Sequence, residues 1–181
     1  MSVVLAIALS FAFGAGDQYL GSLSAHPWGA DVSLLSAPWL VLPFVAGATQ
    51  RQPRRAALVG LACTYAALLG YFVLTDSPLE NAHYSFANAR GFIISDPAVV
   101  LGGLVTGPLF GWFGQRWRTQ RALLGALAVA LALCLEPLAR RASVDPIRFR
   151  DVRVAEVAAG LVVAAYAALD RARARSHRTA A

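Results

Sequence analysis

The chain has 181 residues, of which 57% are hydrophobic and 14% are charged, and its mean hydropathy is +0.56. Ordinary soluble domains are about 45–50% apolar and about 25% charged. A soluble fold of this size cannot bury so much apolar surface, which excludes a soluble enzyme, a disordered chain and a secreted disulfide scaffold. The net charge of +6 comes from Arg, since the chain has no Lys. Surplus Arg in a membrane protein marks helix ends, so we predict a lipid bilayer and no nucleic acid as partner.

Six segments are long and apolar enough to cross a bilayer, whose core of about 30 Å requires about 20 mostly apolar residues per helix. They cover approximately residues 2–20, 33–49, 56–75, 97–115, 121–139 and 153–170. The predicted fold is therefore all-α, an integral membrane bundle of about six helices. Residues 1–170 form a single transmembrane domain, and residues 171–181 form an Arg-rich tail. The first segment lacks a basic flank and a convincing cleavage site, so we interpret it as a helix rather than a signal peptide.

The distribution of Arg predicts the orientation of the bundle. With the N-terminus inside, ten Arg flank inner helix ends and six lie on the outer side. Both termini and the tail are therefore predicted to be cytoplasmic, in a multi-pass protein of the bacterial inner (plasma) membrane. The segment 139–153 departs from the rule, because its five Arg fall outside. Either these Arg face anionic lipid or substrate, or the fifth or sixth helix is placed wrongly.

One group of acidic residues lies where a helix is predicted to begin. The helix dipole favours an anion at such a position, and a proline after the acid adds a typical first-turn residue. We therefore predict helix-capping or first-turn roles, and no chemistry, for Asp31, Asp96, Asp145 and Glu156.

Asp17, Asp76 and Glu136 lie instead near the C-terminal ends of the first, third and fifth predicted helices. The dipole and the free carbonyl groups disfavour a negative charge there, and an ionisable group inside a membrane is a candidate functional residue. Glu136 is the deepest, about 22 Å along its helix from Arg121. We predict these three carboxyl groups as candidate catalytic proton donors. The alternatives are an ion pair with Arg140 for Glu136, and contact with headgroup water for the other two.

The candidate substrate-binding residues come from the outer loop and from aromatic positions. Polar side chains in the loop between the third and fourth helices could bind a polar head, and aromatic faces could stabilise a cation. The candidates are Glu80, His83, Tyr84 and Arg90 in the loop, and Trp39, Tyr71 and Trp112 among the aromatic residues. An ordinary aromatic belt at the membrane interface is the alternative for most of the aromatic set.

The fourth predicted helix carries Gly103, Gly107 and Gly111 at four-residue spacing, which predicts close helix packing. Pro108 predicts a kink in the same helix, which could frame a pocket. The sequence contains no H-x-x-x-H, H-E-x-x-H or C-x-x-C spacing, no Walker loop, no G-x-S-x-G elbow and no Rossmann glycine pattern, so we predict neither metal nor cofactor. Cys63 and Cys134 lie at different depths of two spans, which argues against a disulfide.

The strings SAPWLVLPFVAGA, AALLGYFVL, GPLFGWFGQRWR and CLEPL resemble an uncharacterised family of small multispanning membrane proteins from high-GC bacteria. The resemblance covers residues 33–138 and implies the fold class, but no activity. In architecture alone, the chain also looks like the small integral-membrane terpene cyclases. Those enzymes use a buried carboxylic acid to protonate an alkene or epoxide of an isoprenoid. No motif is shared with them, so no catalytic residue is carried over.

Two functions from different classes follow from these features. The first is a membrane enzyme that cyclises or isomerises a lipid-soluble isoprenoid, with Asp17, Asp76 or Glu136 as the acid. The second is a solute-binding or transport subunit that resembles the substrate-binding subunits of vitamin importers. In that case the ligand would be bound by Asp17, Glu80, His83, Arg90 and Glu136. A purely structural protein is the third possibility.

Overall fold

A computed structural model describes residues 2–23, 25–80, 82–95, 97–141 and 146–179, and these residues are helical with short connections. The helices are α1 (Val3–Ser22), α2 (Pro27–Ser33), α3 (Ala37–Ala48), α4 (Pro53–Thr75), α5 (Phe86–Ser95), α6 (Pro97–Gln120), α7 (Leu123–Arg140) and α8 (Arg150–Thr179). A 3₁₀ turn at Pro78–Glu80 follows α4. The helix α8 continues to Thr179, so residues 171–179 of the Arg-rich tail extend the last helix.

Five of the described helices, α1, α4, α6, α7 and α8, are long and apolar enough to cross a membrane. Large side chains on their surfaces are exposed, as for Leu58 (66%), Leu131 (56%) and Val162 (67%). An apolar exterior of this kind is expected of a surface that faces lipid. The prediction of an all-α fold with several helices long and apolar enough to cross a membrane is confirmed for the described residues, whereas the membrane itself and the side on which the termini lie stay predictions.

The second predicted span is broken into two helices. The axes of α2 and α3 differ by 54°, and residues 34–36 separate them. Pro27 and Pro38 each lie in the first turn of a helix, a position where the missing N–H of proline costs nothing. The pair counts as a sixth span if the two pieces are taken together.

Glycines allow the helices to approach closely. A Cβ atom on Gly14 of α1 would meet the backbone of Ala67 on α4, and one on Gly111 of α6 would meet the carbonyl oxygen of Ala56. Gly103, Gly107 and Gly111 are all buried against α4, which confirms the predicted packing face. The helix α6 continues through Pro108.

The basic flanks of three helices meet at one end of the bundle. Arg118 donates to the carbonyl oxygen of Ala48 at 3.0 Å, and Gln115 donates to that of Arg51 at 3.0 Å. Arg121 forms an ion pair with Asp170 of α8. The opposite end, where α1 and α4 finish and α3 begins, contains Asp17, Asp76 and Glu136, and we call it the carboxylate end.

Two of the predicted capping roles are wrong. Asp31 lies inside α2 and is buried, and His26 and Ser36 are the residues that precede α2 and α3. Glu156 lies in the second turn of α8, because that helix begins at Arg150. The other two predicted caps, Asp96 and Asp145, lie outside the described residues. Cys63 and Cys134 are free, as predicted.

Candidate functional site

Asp17 is a buried carboxyl group on α1, with 7% of the residue exposed. The side chain of Trp39 on α3 lies within interaction range of this carboxyl group. The second oxygen, Oδ2, is buried and accepts no hydrogen bond from the described residues. Buried polar atoms are usually satisfied, so an oxygen in this state is a candidate for contact with a ligand.

A row of aromatic rings extends from Asp17 across the carboxylate end. Trp39 meets Phe13 edge-on, with ring centroids 5.6 Å apart, and meets Tyr71 of α4 at 6.1 Å. Tyr71 in turn lies 6.3 Å from Phe92 of α5. The structure thus brings together three residues that the sequence proposes as site residues, Asp17, Trp39 and Tyr71. Electron-rich ring faces beside an acid can stabilise positive charge that develops near it.

A cavity of about 490 Å³ lies beside Glu136, and another of about 350 Å³ lies beside Asp17. Apart from the carboxyl group, the walls of the Asp17 cavity are mainly apolar or aromatic. They come from Phe13, Gly16, Tyr19 and Leu20 of α1, Val32 of α2 and Pro38 of α3. The break between α2 and α3 places both Val32 and Pro38 at this cavity, so the broken span shapes one of its sides.

Glu136 of α7 is bonded to the backbone at the start of α3. Its Oε1 accepts the N–H of Ser36 at 2.7 Å, and its Oε2 accepts the N–H of Ala37 at 2.6 Å. The first N–H groups of a helix have no partner within that helix. Glu136 therefore acts as a cap supplied by a different helix, and its negative charge lies at the positive end of the α3 dipole.

Arg140 completes this contact one turn later on α7. Its Nε lies 3.4 Å from Oε1 of Glu136, so the predicted alternative, an ion pair between Glu136 and Arg140, is present. The guanidinium group also donates to the carbonyl oxygen of Leu34 and, at 3.1 Å, to Oγ of Ser36. Glu136 and Arg140 together bind the segment that joins α2 to α3, and we call this pair the α7 clamp.

Two further acids lie next to the clamp. Oδ2 of Asp31 accepts the N–H of Phe149 at 2.6 Å, immediately before α8 begins, so Asp31 caps a helix other than its own. Glu156 of α8 is 4% exposed, and it lies close enough to Glu136 and Arg140 for their charges to act on it. Both of its carboxyl oxygens lack a hydrogen-bond partner among the described residues.

Asp76 forms the C-terminal cap of α4 and is 7% exposed. Its Oδ2 and the hydroxyl of Ser77 are buried without a hydrogen-bond partner in the described part of the chain. Asp76 follows Tyr71 on the same helix, but the cavity beside Asp17 is not lined by it. It therefore stays a second candidate acid at the same end of the bundle.

The predicted loop residues are spread over the surface of the carboxylate end. Glu80 is half-buried in the 3₁₀ turn, whereas His83, Tyr84 and Arg90 are exposed. The hydroxyl of Tyr84 donates to the carbonyl oxygen of Val73 at 2.8 Å and fastens the loop to α4.

Trp112 lies at the other end of the bundle, where the guanidinium carbon of Arg116 is 4.8 Å from the centre of its ring. The structure does not bring this residue to Asp17.

Phe13 and Phe92, which contact the predicted aromatic residues, were missed because one more Phe in an apolar span carries no local signal. The two prolines around GADVSLLSA could have indicated the broken span.

Among the residues that the structure describes, no three His, Cys, Asp or Glu side chains come together as metal ligands. Comparisons with protein-family models, with curated proteins and with solved structures found no match to this chain. The geometry of the Asp17 site is therefore the basis on which a function is inferred.

Proposed function

We propose that this protein is an integral membrane enzyme that cyclises or isomerises a lipid-soluble isoprenoid, with Asp17 as the acid that starts the reaction. The observation that carries the proposal is the buried Asp17 carboxyl group: it helps to line a mainly apolar cavity, and its Oδ2 has no hydrogen-bond partner among the described residues. The rings of Phe13, Trp39 and Tyr71 adjoin it. An acid, an apolar cavity and cation-stabilising faces are the parts that such a reaction needs.

The proposed reaction begins with transfer of the Asp17 proton to a terminal double bond of the substrate. A carbon–hydrogen bond forms, and the other carbon of the double bond becomes a cation. A second double bond attacks this cation and closes a ring, and loss of a proton from a neighbouring carbon to water ends the cascade. The Asp17 carboxylate then takes up a proton from water, which restores the acid. The product is an isomer of the substrate, so no oxidant or co-substrate is consumed. Trp39 orients the acid and stabilises the carboxylate that remains after proton transfer.

Asp17 is a better candidate than Glu136 because Glu136 already has a different role. Both oxygens of Glu136 accept backbone N–H groups, and Arg140 pairs with one of them. In its charged form, a carboxylate in this arrangement stabilises the start of α3. Protonation of Glu136 would remove one of the acceptors from this cap. Asp76 has an oxygen without a hydrogen-bond partner in the described part of the chain, but Asp76 does not line the cavity beside Asp17.

The cavity suits a substrate that arrives from the bilayer. It lies between α1 and the broken span, and Tyr19, one of its wall residues, is 51% exposed. The importer-like alternative requires Asp17, Glu80, His83, Arg90 and Glu136 to bind one ligand. Asp17 lies at the cavity and Glu136 belongs to the α7 clamp, whereas the other three side chains lie in the loop region. Because the five residues are in three separate places, the geometry favours the enzyme.

The proposal is tested by incubating the purified protein in detergent with linear lipids that carry farnesyl or geranylgeranyl chains. The expected product has the mass of the substrate but a different chromatographic retention time. Asp17→Asn, which keeps the shape of the side chain and removes its acidic proton, should form no product. Absence of a cyclised product from every isoprenoid tried, together with tight binding of a water-soluble metabolite, would contradict the enzyme and favour the importer-like alternative.

A further inference from the structure

We infer that Glu136 is a positioning residue for the Asp17 site: it fixes the first turn of α3 and thereby the Trp39 side chain that lies next to Asp17. The inference rests on the proposed function for the chemical role of Asp17. The connection from α7 to Trp39 stands on the geometry alone. It assigns a role in the site to a residue on a helix that does not line the Asp17 cavity.

The first link joins α7 to the start of α3. Ser36 precedes α3 but makes no capping hydrogen bond with its own side chain. The N–H groups of Ser36 and Ala37 are bound by Glu136, and Pro38 has no N–H group. A side chain of α7 therefore supplies the cap that a helix of this kind normally receives from its own N-terminal residue.

The second link joins this turn to the acid. The N–H of Trp39 donates to the carbonyl oxygen of Ser36 at 3.2 Å, so Trp39 belongs to the turn that Glu136 fixes. Its ring packs between Phe13 and Tyr71, and its side chain lies within interaction range of Asp17. Polar contacts depend steeply on alignment, so a rotation or shift of this turn changes the contact between Trp39 and Asp17.

Arg140 fixes the same segment from the carbonyl side. It donates to the carbonyl oxygen of Leu34 and to the hydroxyl of Ser36, just before α3 begins. The α7 clamp thus binds both the N–H groups and a carbonyl group of the break. The direction in which α3 leaves the break depends on these bonds, and Pro38 at the cavity wall moves with it.

The test uses Glu136→Gln in protein in which Trp28, Trp112 and Trp117 are replaced by Phe, so that Trp39 alone fluoresces. Gln has one acceptor oxygen and no negative charge, so it cannot offer a separate oxygen to each backbone N–H group as the carboxylate does. We expect a shifted emission maximum for Trp39. Where turnover is measurable, we expect kcat to fall about 10- to 100-fold with little change in KM, because the acid is misaligned while most cavity walls are kept.

Asp170→Asn is the matched control. It makes the same chemical change, from carboxylate to amide, at an acid that is also ion-paired to an Arg, but Asp170 pairs with Arg121 at the opposite end of the bundle. We expect the Trp39 emission and kcat of this variant to match the parent. Glu136→Asp, which keeps the charge and shortens the side chain by one methylene, should give an intermediate shift and carries the test if Glu136→Gln does not fold.

The possible outcomes separate the two proposals. A Trp39 shift in Glu136→Gln but not in Asp170→Asn supports the positioning role, even if the parent protein turns over no isoprenoid and the proposed function fails. An unchanged emission in both Glu136 variants would overturn the positioning role. An equal shift in the Asp170→Asn control would overturn it as well, because the effect would then not require the bonds to α3.

Discussion

Glu136 of α7 accepts the backbone N–H of Ala37 at 2.6 Å, across 99 positions of sequence. This bond and its partner at Ser36 place the negative charge of one membrane helix at the N-terminus of another. The break between α2 and α3 is therefore a specified feature of the fold, since side chains from α7 satisfy its backbone groups. Backbone that leaves a helix at membrane depth is tolerated where protein groups replace water in this way.

The first prediction concerns the contribution of the α7 clamp to stability. Glu136→Ala leaves the N–H groups of Ser36 and Ala37 without their acceptor, and we expect a loss of about 1–3 kcal/mol in the free energy of unfolding. Unfolding in mixed micelles measures it. Arg141→Ala is the control, because Arg141 is the exposed neighbour of Arg140 and its side chain is absent from the clamp. An equal loss in both variants would show that the clamp contributes nothing specific.

The second prediction concerns the start of α8. Asp31→Ala removes the acceptor for the N–H of Phe149, and loss of a cap costs about 0.5–2 kcal/mol. We expect faster amide hydrogen exchange in the first turn of α8, measured by mass spectrometry of peptides from that region. Asp151→Ala changes an exposed acid within that first turn and serves as the comparison. Greater exchange in Asp151→Ala than in Asp31→Ala would contradict the assignment.

The third prediction concerns helix packing. Gly111→Ala places a methyl group against the backbone of Ala56 on α4, and the overpacking should cost about 1–3 kcal/mol. Gly102→Ala, on the same helix, meets no atom within 4 Å and should leave stability unchanged or slightly raised. Thermal unfolding in detergent compares the two. If the two variants were equally stable, the close approach of α4 and α6 would be absent from the protein in solution.

The fourth prediction concerns Trp39. Trp39→Phe keeps an aromatic ring beside Asp17 but removes the indole N–H, which we propose as the donor to the Asp17 carboxylate that forms during proton transfer. A hydrogen bond to a charged group is worth about 1.5–3 kcal/mol, so the cyclisation rate should fall about 10- to 100-fold. Trp28→Phe, at an exposed position on α2, provides the reference rate. A rate for Trp39→Phe that equals the reference would exclude a role for this hydrogen bond.

Local sequence patterns were enough to predict the helices but not the contacts between them. Apolar length identified the spans α1, α4, α6, α7 and α8, because membrane thickness sets the length of each. Hydropathy could not predict the break at residues 34–36, since that segment is as apolar as its surroundings. The caps supplied by Asp31 and Glu136 escaped prediction for a related reason. Capping rules consider neighbours in sequence, whereas these acids bind groups 118 and 99 positions away.

The structure brings some of the predicted site residues together and places others far apart, for the same physical reason. Asp17, Trp39 and Tyr71 stand out by residue type at predicted helix ends, and the structure brings them together. Trp112 has the same residue type, but it lies at the other end of α6 with Arg116. The depth of a residue in a helix can be counted from the sequence, but the helix face that it occupies depends on tertiary packing.

The most direct test of the central claim is the isotope content of the product formed in deuterated water. If Asp17 donates its exchangeable proton to a carbon of the substrate, product made from an alkene-terminated isoprenoid should carry one deuterium at the protonated carbon. Asp17→Asn should yield no such product. Cyclised product without deuterium, or deuterated product formed at the parental rate by Asp17→Asn, would contradict the assignment of Asp17 as the acid.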